Sequence, residues 1–281
     1  MNNVTDMSGI LDAIAARVPT DDNVYEGEDG LLYCKNCLTA RQSRIDVFGR
    51  GIRVVNCLCK CMVEEREREE EQRRQQELMD KIKRFRAMGF ADVEMQDSTF
   101  AVDDGARPEI TRAMQAYVEN FKDFRENGKG LFLYGPVGTG KSFFAACIVN
   151  ALIDKGIPCL MTDFSRLTNS INSSWSDKQE QIDSLTRFGL IAIDDLGVER
   201  DTEFMNESVT TIINNLYRAK VPLIITSNYA PKQLTDESEI RRRRVYDRLL
   251  ERCHPIAVTG ESRRKQKGRA DYMIMKDILG V

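Results

Sequence analysis

Residues 135–142 read Gly-Pro-Val-Gly-Thr-Gly-Lys-Ser, the spacing G-x-x-x-x-G-K-[ST]. Glycines so placed let backbone N–H groups turn inward around a polyphosphate, and a helix starting there adds partial positive charge. Lys141 then reaches the β- and γ-phosphates, and Ser142 offers a hydroxyl to Mg²⁺. Gly135, Pro136, Val137, Gly138, Thr139, Gly140 and Phe143 complete this candidate ATP-binding segment. Further on, the apolar run 190–193 ends in Asp194 and Asp195. A strand ending in two acids brings them to the carboxyl edge of a sheet, where Asp194 would hold Mg²⁺ and Asp195 would orient or deprotonate an attacking water. A third apolar run ends Thr226-Ser227-Asn228, and an amide there reaches a γ-phosphate or the lytic water; taken alone, Asn228 also reads as a turn residue.

A second chemistry belongs to cysteine. Five of the eight cysteines, Cys34, Cys37, Cys57, Cys59 and Cys61, fall within 28 residues. Clustered thiols in a chain without an export signal read as metal ligands before they read as disulfides. Two close pairs separated by a loop can wrap a structural Zn²⁺, while C-x-C-x-C leaves one thiol spare. An iron–sulfur cluster and a metal-free module are the alternatives. The single histidine, His254, excludes an H-E-x-x-H zinc protease.

The elements that must position these groups can be read from periodicity. Residues 1–33 carry seven acids against one arginine, and Ile10, Leu11, Ile14 and Val18 predict a short amphipathic helix. Residues 64–77 contain no apolar side chain, and Glu64/Arg68, Glu69/Arg73 and Glu70/Arg74 support a solvated helix. It turns amphipathic at Leu78, Ile82 and Phe85 before Gly89 ends it. One helix is expected between Pro108 and Gly128, then strands at 130–134, 158–162, 190–193, 222–226 and 255–258, with a helix before Gly156 and others at 203–219 and 241–252. Strands separated by helices predict an α/β fold with a parallel sheet covered on both faces. The expected domains are 1–62, an acidic segment with the cysteine module; 63–94, a charged helical linker; and 95–281, the nucleotide-binding domain.

The near balance of 41 basic and 44 acidic residues excludes a uniformly basic coat protein. Eleven basic residues lie between 240 and 269 against three acids, a stretch suited to a nucleic-acid backbone, to a triphosphate across a subunit interface, or to solvating a helix. No apolar run approaches the ~20 residues of a membrane helix, and the first residues lack the pattern of a secretory signal, so a soluble, cytoplasmic protein without a membrane partner is expected.

Taken in order, GPVGTGKS, IDDLG, TSN, an Arg-rich helix and GESRR resemble the AAA+ ATPases of the DnaC/IstB type over roughly residues 95–265. That resemblance implies a three-layer α/β/α core preceded here by the zinc module and charged linker, Mg²⁺-dependent ATP hydrolysis, and self-association through the ATP interface. It puts an arginine finger at Arg248, or within Arg241–Arg244, and a second sensing arginine at Arg264. The chain departs from the family in carrying Arg263 where a tyrosine is common. Related initiator ATPases contact single-stranded DNA with an extra helix near residues 164–187, which here hold the only tryptophan, Trp175; a tryptophan tucked against its own domain is the alternative. The expected function is ATP-driven loading of a replicative helicase onto single-stranded DNA, with the N-terminal module gripping the helicase. The alternatives are a transposition helper of the IstB type, a zinc- and ATP-dependent adaptor that hydrolyses little, and a small-molecule P-loop kinase.

Overall fold

A computed structural model describes residues 22–46, 51–170, 175–197, 203–236 and 240–279. The expected helix around residues 10–18 lies outside them. The chain forms two compact units, Met1–Leu78 and Met79–Val281.

The first unit is built from two antiparallel hairpins. Strand β1 (Val24–Glu26) pairs with β2 (Leu32–Cys34), and β3 (Gln42–Asp46) pairs with β4 (Ile52–Asn56). Neither hairpin can bury a core of its own: among the described residues of this unit, the buried side chains are Leu31, Cys34, Arg41 and Cys59. Helix α1 (Lys60–Gly89) begins inside the C-x-C-x-C run. Its polar stretch is exposed, with Arg66–Glu70 at 3.2 Å, Arg73–Glu77 at 3.9 Å and Glu71–Arg74 at 3.7 Å. Such exposed pairs contribute only a few tenths of a kcal/mol each, ~0.2–0.5.

In the second unit the end of α1 becomes useful. Ile82 and Phe85 pack on the core, and Gly89 lies under the Cys159 carbonyl. Phe90 then bridges Met161 in parallel and the Ala91 N–H donates to the Met161 carbonyl at 3.0 Å, which covers a sheet edge that would otherwise stand unpaired.

The expected single helix between Pro108 and Gly128 is two, α2 (Pro108–Glu119) and α3 (Phe121–Glu126). The side-chain amide of Asn120 donates back to the Ala116 carbonyl at 2.8 Å and breaks the helix there. The alternation that follows agrees with expectation: β5 (Gly130–Tyr134), α4 (Lys141–Asp154), β6 (Cys159–Asp163), α5 (Phe164–Ser170), α6 (Trp175–Leu185), β7 (Leu190–Leu196), α7 (Glu203–Arg218), β8 (Leu223–Ser227), α8 (Pro231–Thr235), α9 (Ile240–Arg252), β9 (Cys253–Ala257) and α10 (Arg263–Leu279).

The five strands β5–β9 form one parallel sheet in the order β6-β7-β8-β5-β9. Every second residue faces the same side. Leu131, Leu133, Leu190, Ala192 and Ile224 pack with Phe144, Ile148 and Met114 on one face. Phe132, Ile191, Ile193, Leu223 and Ile225 pack with Ile182, Ile213, Leu216 and Leu249 on the other. The result is the expected three-layer α/β/α core. Pro255, inside β9, is tolerated because β9 is an edge strand.

The strand that feeds the phosphate loop starts at Gly130, where a Cβ would stand 1.8 Å from the Leu223 carbonyl oxygen of β8. Separating these central strands costs stability, so Gly130→Ala should lower unfolding free energy by about 1–3 kcal/mol or more. Urea denaturation checks this; an unchanged midpoint would show that β5 and β8 are not packed this closely.

Candidate functional site

The carboxyl ends of β5, β7 and β8 converge on one place because the strand order makes them neighbours. The 135–142 loop leaves β5 there and opens α4. Its Gly135, Gly138 and Gly140 have φ of 145°, 82° and 97°, conformations that glycine adopts without penalty. The Thr139 hydroxyl donates to the Pro136 carbonyl at 2.9 Å and closes the turn.

Lys141 is buried, 5% exposed, beneath this loop. Its Nζ donates to the carbonyls of Gly135 and Pro136, each at 3.0 Å, and to Oδ1 of Asn228 at 2.9 Å. Three acceptors match the three protons of an ammonium group. Burial holds the Lys141 pKa below its ordinary value, while the charges of Asp195 and Asp194 pull it upward. Asn228 is therefore joined to the phosphate loop by direct contact.

Strand β7 extends beyond the expected 190–193, to Leu196. Its register against β8 shifts between Ile193 and Leu196, and Asp195 sits at φ 56°. This irregularity aims the two acids, a common use of a bulge beside a functional site. The Asp195 N–H donates to the Thr226 hydroxyl at 2.9 Å, and that hydroxyl donates to Oδ1 of Asp194. Partial burial and the neighbouring Asp194 charge hold the Asp195 carboxyl above the usual carboxylate value, against the opposing charges of Lys141 and Arg264. A cavity of about 270 Å³ opens beside the acids, lined by Met95, Asp163, Phe164 and Arg166 among others. The Ser142 hydroxyl and the Asp194 carboxylate are hard oxygen donors of the kind that suits Mg²⁺.

Arg264 is exposed at the start of α10, and its charge acts on both Lys141 and Asp195. Arg248 is exposed on α9, where it hydrogen-bonds Asn214 of α7 and lies 5.8 Å from the Tyr217 ring centroid. Arg252 stacks on that same ring at 3.8 Å. Arg243 and Arg244 are exposed on α9 as well. The side chains of Trp175, Arg241, Arg242 and Lys267 lie outside the described part. His254 is exposed on β9, far in the sheet order from the acids of β7.

In the first unit, sulfurs of Cys34, Cys37, Cys59 and Cys61 all lie within 4.8 Å of one another. Cys34 ends β2; the chain then turns tightly, with Leu38 at φ 57° and its N–H on the Cys34 carbonyl, which returns Cys37 beside Cys34. The Cys57 N–H donates to the Arg41 carbonyl at 2.8 Å, and the Lys60 N–H to the Thr39 hydroxyl at 3.0 Å; these tie the C-x-C-x-C run to the turn. Cys57 is the one of the five outside the group, its thiol donating to the Ala40 carbonyl at 3.4 Å. One of the three thiols in the C-x-C-x-C run is expected to be spare, and Cys57 is the one left out of the group. In a C-x-C-x-C run, alternate side chains share a side only while the strand continues, and α1 starts at Lys60.

The Cys59–Cys61 and Cys34–Cys61 sulfur distances are 3.3 and 3.6 Å. A tetrahedral zinc with Zn–S bonds of ~2.3 Å spaces sulfurs by roughly 3.8 Å. The donor set fits Zn²⁺. Without a cation the four sulfurs titrate unequally: the Thr39 hydroxyl and nearby backbone N–H groups bring the Cys37 thiol down to about 5, whereas its crowded neighbours Cys59 and Cys34 push Cys61 up to about 12. Four thiolates this close repel until a cation neutralises them.

Freshly purified protein should hold one Zn²⁺ per chain by elemental analysis. Cys57→Ser should keep it, and Cys34→Ser, Cys37→Ser, Cys59→Ser and Cys61→Ser should each lose it. Iron in its place, or metal loss from Cys57→Ser, would contradict this ligand set.

Comparison with known proteins agrees with this geometry. The model of a family described as IstB-like ATP binding protein matches residues 54–270. The replicative helicase loader DnaI of Bacillus subtilis is 25% identical over 247 residues, 82% of this chain and 75% of that protein. A putative ATP-binding protein in an insertion sequence of Mycobacterium tuberculosis is 25% identical over 181 residues, 63% of this chain and 72% of that protein. The crystal structure of the DnaC helicase loader shares the fold, with a TM-score of 0.52 at 21% identity, over 59% of this chain and 99% of that one.

Proposed function

The chain belongs to the family of IstB-like ATP-binding proteins, as an AAA+ ATPase of the DnaC/IstB type, and on that premise we propose that it is a cytoplasmic loader that places a replicative helicase on single-stranded DNA through ATP binding and hydrolysis. One observation supports the choice of partner. The similarity to the loader DnaI covers 82% of this chain, whereas that to the insertion-sequence protein covers 63%. The family match itself begins at residue 54, inside the first unit, so the difference in covered length is what favours the loader.

In this reading residues 1–62 grip the helicase, 63–94 space it from the motor, and 95–281 bind ATP. Backbone N–H groups of the loop cradle the triphosphate, and Lys141 exchanges its neutral acceptors for phosphate oxygens. Ser142 and Asp194 would hold Mg²⁺, which neutralises charge that develops on the phosphates. Asp195 orients the attacking water and draws its proton, Asn228 aligns that water or the γ-phosphate, and Arg264 stabilises charge on the leaving phosphates. Arg248, exposed on α9 beside Asn214 and Tyr217, serves the nucleotide of the next copy. Cys34, Cys37, Cys59 and Cys61 would hold a structural Zn²⁺, which replaces the core the small module lacks. The exposed arginines of α9 and the 164–187 segment engage single-stranded DNA, so affinity falls steeply with salt as condensed counterions are released.

Phosphate release and ATP-binding assays test the motor. Lys141→Ala should abolish both, Asp195→Asn should bind ATP without turnover, and Arg248→Ala should bind normally but turn over slowly. Mixing Lys141→Ala with Arg248→Ala should restore part of the activity, because each supplies what the other's interface lacks. Normal turnover by Arg248→Ala would contradict the shared site. For the partner, the full chain with zinc should bind the host's replicative helicase, and Cys34→Ser should not; binding to a transposase instead would favour the transposition reading.

A further inference from the structure

The structure surrounds Arg263, the first residue of α10, with partners. Its backbone N–H donates to the carbonyl of Gly138, in the phosphate loop, at 2.8 Å. Its guanidinium Nη2 bonds carboxylate oxygens of Asp103 at 2.9 Å and Asp104 at 2.7 Å. The same guanidinium lies 4.8 Å from the ring centroid of Phe143 and 5.5 Å from that of Phe144, in the first turn of α4. Its side chain also covers Gly140, whose missing Cβ would stand 3.5 Å from the Arg263 Nε.

Asp103 is built to hold an arginine. Its side chain is 4% exposed and accepts a hydrogen bond from the Thr111 hydroxyl at 2.6 Å. Burial alone would raise its pKa, but the bonds from Thr111 and Arg263 hold the carboxyl below its usual value. A buried ion pair of this kind fixes geometry more than it adds stability.

A second arginine closes the same junction from the other direction. Arg107, just before α2, donates Nε to the Thr259 carbonyl at 2.7 Å and Nη2 to the Glu261 carbonyl at 3.0 Å. The segments 103–107 and 259–263 thus hold each other by reciprocal arginine ties. Between them Ser262 sits against the loop, its Oγ 2.1 Å from where a Cβ on Gly138 would be. The first turn of α10 is therefore fixed to the phosphate loop, and the next residue in it is Arg264.

We propose that Arg263, held by Asp103 and Asp104, is a positioning residue that locks the first turn of α10 onto the phosphate loop and so aims Arg264 at the bound nucleotide. This deepens the hydrolytic reading above and rests on it. Consecutive helical residues diverge by about 100° around the axis. One arginine can therefore be an anchor while its neighbour reaches the phosphates.

The test is a cycle on the full chain, measuring ATP turnover at saturation, ATP affinity and melting temperature for Arg263→Gln, Arg263→Lys, Asp103→Asn, Arg264→Ala and Arg263→Gln/Arg264→Ala. Arg263→Gln should lower kcat on the order of tenfold, as small misplacements of a charge-stabilising group do, with ATP affinity nearly unchanged. Arg263→Lys, which keeps the ion pair, should recover most of that rate, and Asp103→Asn should reproduce the loss if Arg263→Gln proves unstable. In the Arg264→Ala background, Arg263→Gln should cost nothing further, because both changes remove one contribution. Additive losses in the double variant, or wild-type turnover by both Arg263→Gln and Asp103→Asn, would overturn the positioning role while leaving the hydrolytic reading intact. A wild-type chain without turnover would overturn both.

Discussion

Lys141 brings a positive charge under the surface, and its three protons meet three oxygens that carry no formal charge, on Gly135, Pro136 and Asn228. A buried charge is costly unless an opposite charge answers it. Asp194 and Asp195 act on Lys141 from β7, yet its direct partners are amide-type oxygens. The arrangement is satisfied as a hydrogen-bond network and incomplete as an ion pair, and the phosphates of a nucleotide would complete it. The rest of the second unit follows from that requirement. The sheet order brings β5, β7 and β8 side by side, the shift in β7 turns its acids toward the loop, and the junction at Arg107 and Arg263 closes α10 against it.

The first unit solves a different problem. Two short hairpins leave Ile45, Ile52, Val54 and Leu58 exposed and bury few apolar side chains. Four convergent thiols stand where a core is missing, and a metal held there would contribute directly to folding. Helix α1 needs no apolar face along its charged stretch, because i,i+4 pairs and helix-forming residues suffice. Of its apolar residues, Ile82 and Phe85 pack on the core, while Leu78, expected on the same face of the helix, and Met79 stay exposed.

Much of this was legible in the sequence, and the limits have physical causes. The strand at Gly130–Tyr134 was read to the residue because it is a short apolar run bounded by glycines. The phosphate loop, the paired acids and Asn228 were legible because each closes an apolar run, and their meeting follows from the sheet order. The break at Asn120 was not, since apolar periodicity continues through it and only the side-chain bond to Ala116 reveals it. Nor was the continuation of β7 past its acids, because nothing in the composition marks a register shift. The cysteine cluster was legible as four of five thiols; that Cys57 is the spare one needed the start of α1. Arg263 stood out only as a departure, because its partners Asp103 and Asp104 lie about 160 residues away in the chain.

The most direct test is a crystal structure of the full chain with a non-hydrolysable ATP analogue and Mg²⁺. If Lys141 is held ready for a triphosphate, its Nζ should leave the Asn228 amide and lie within hydrogen-bond distance of β- and γ-phosphate oxygens, with Asp194 at the metal. A nucleotide bound elsewhere, with Lys141 still on Gly135, Pro136 and Asn228, would contradict it.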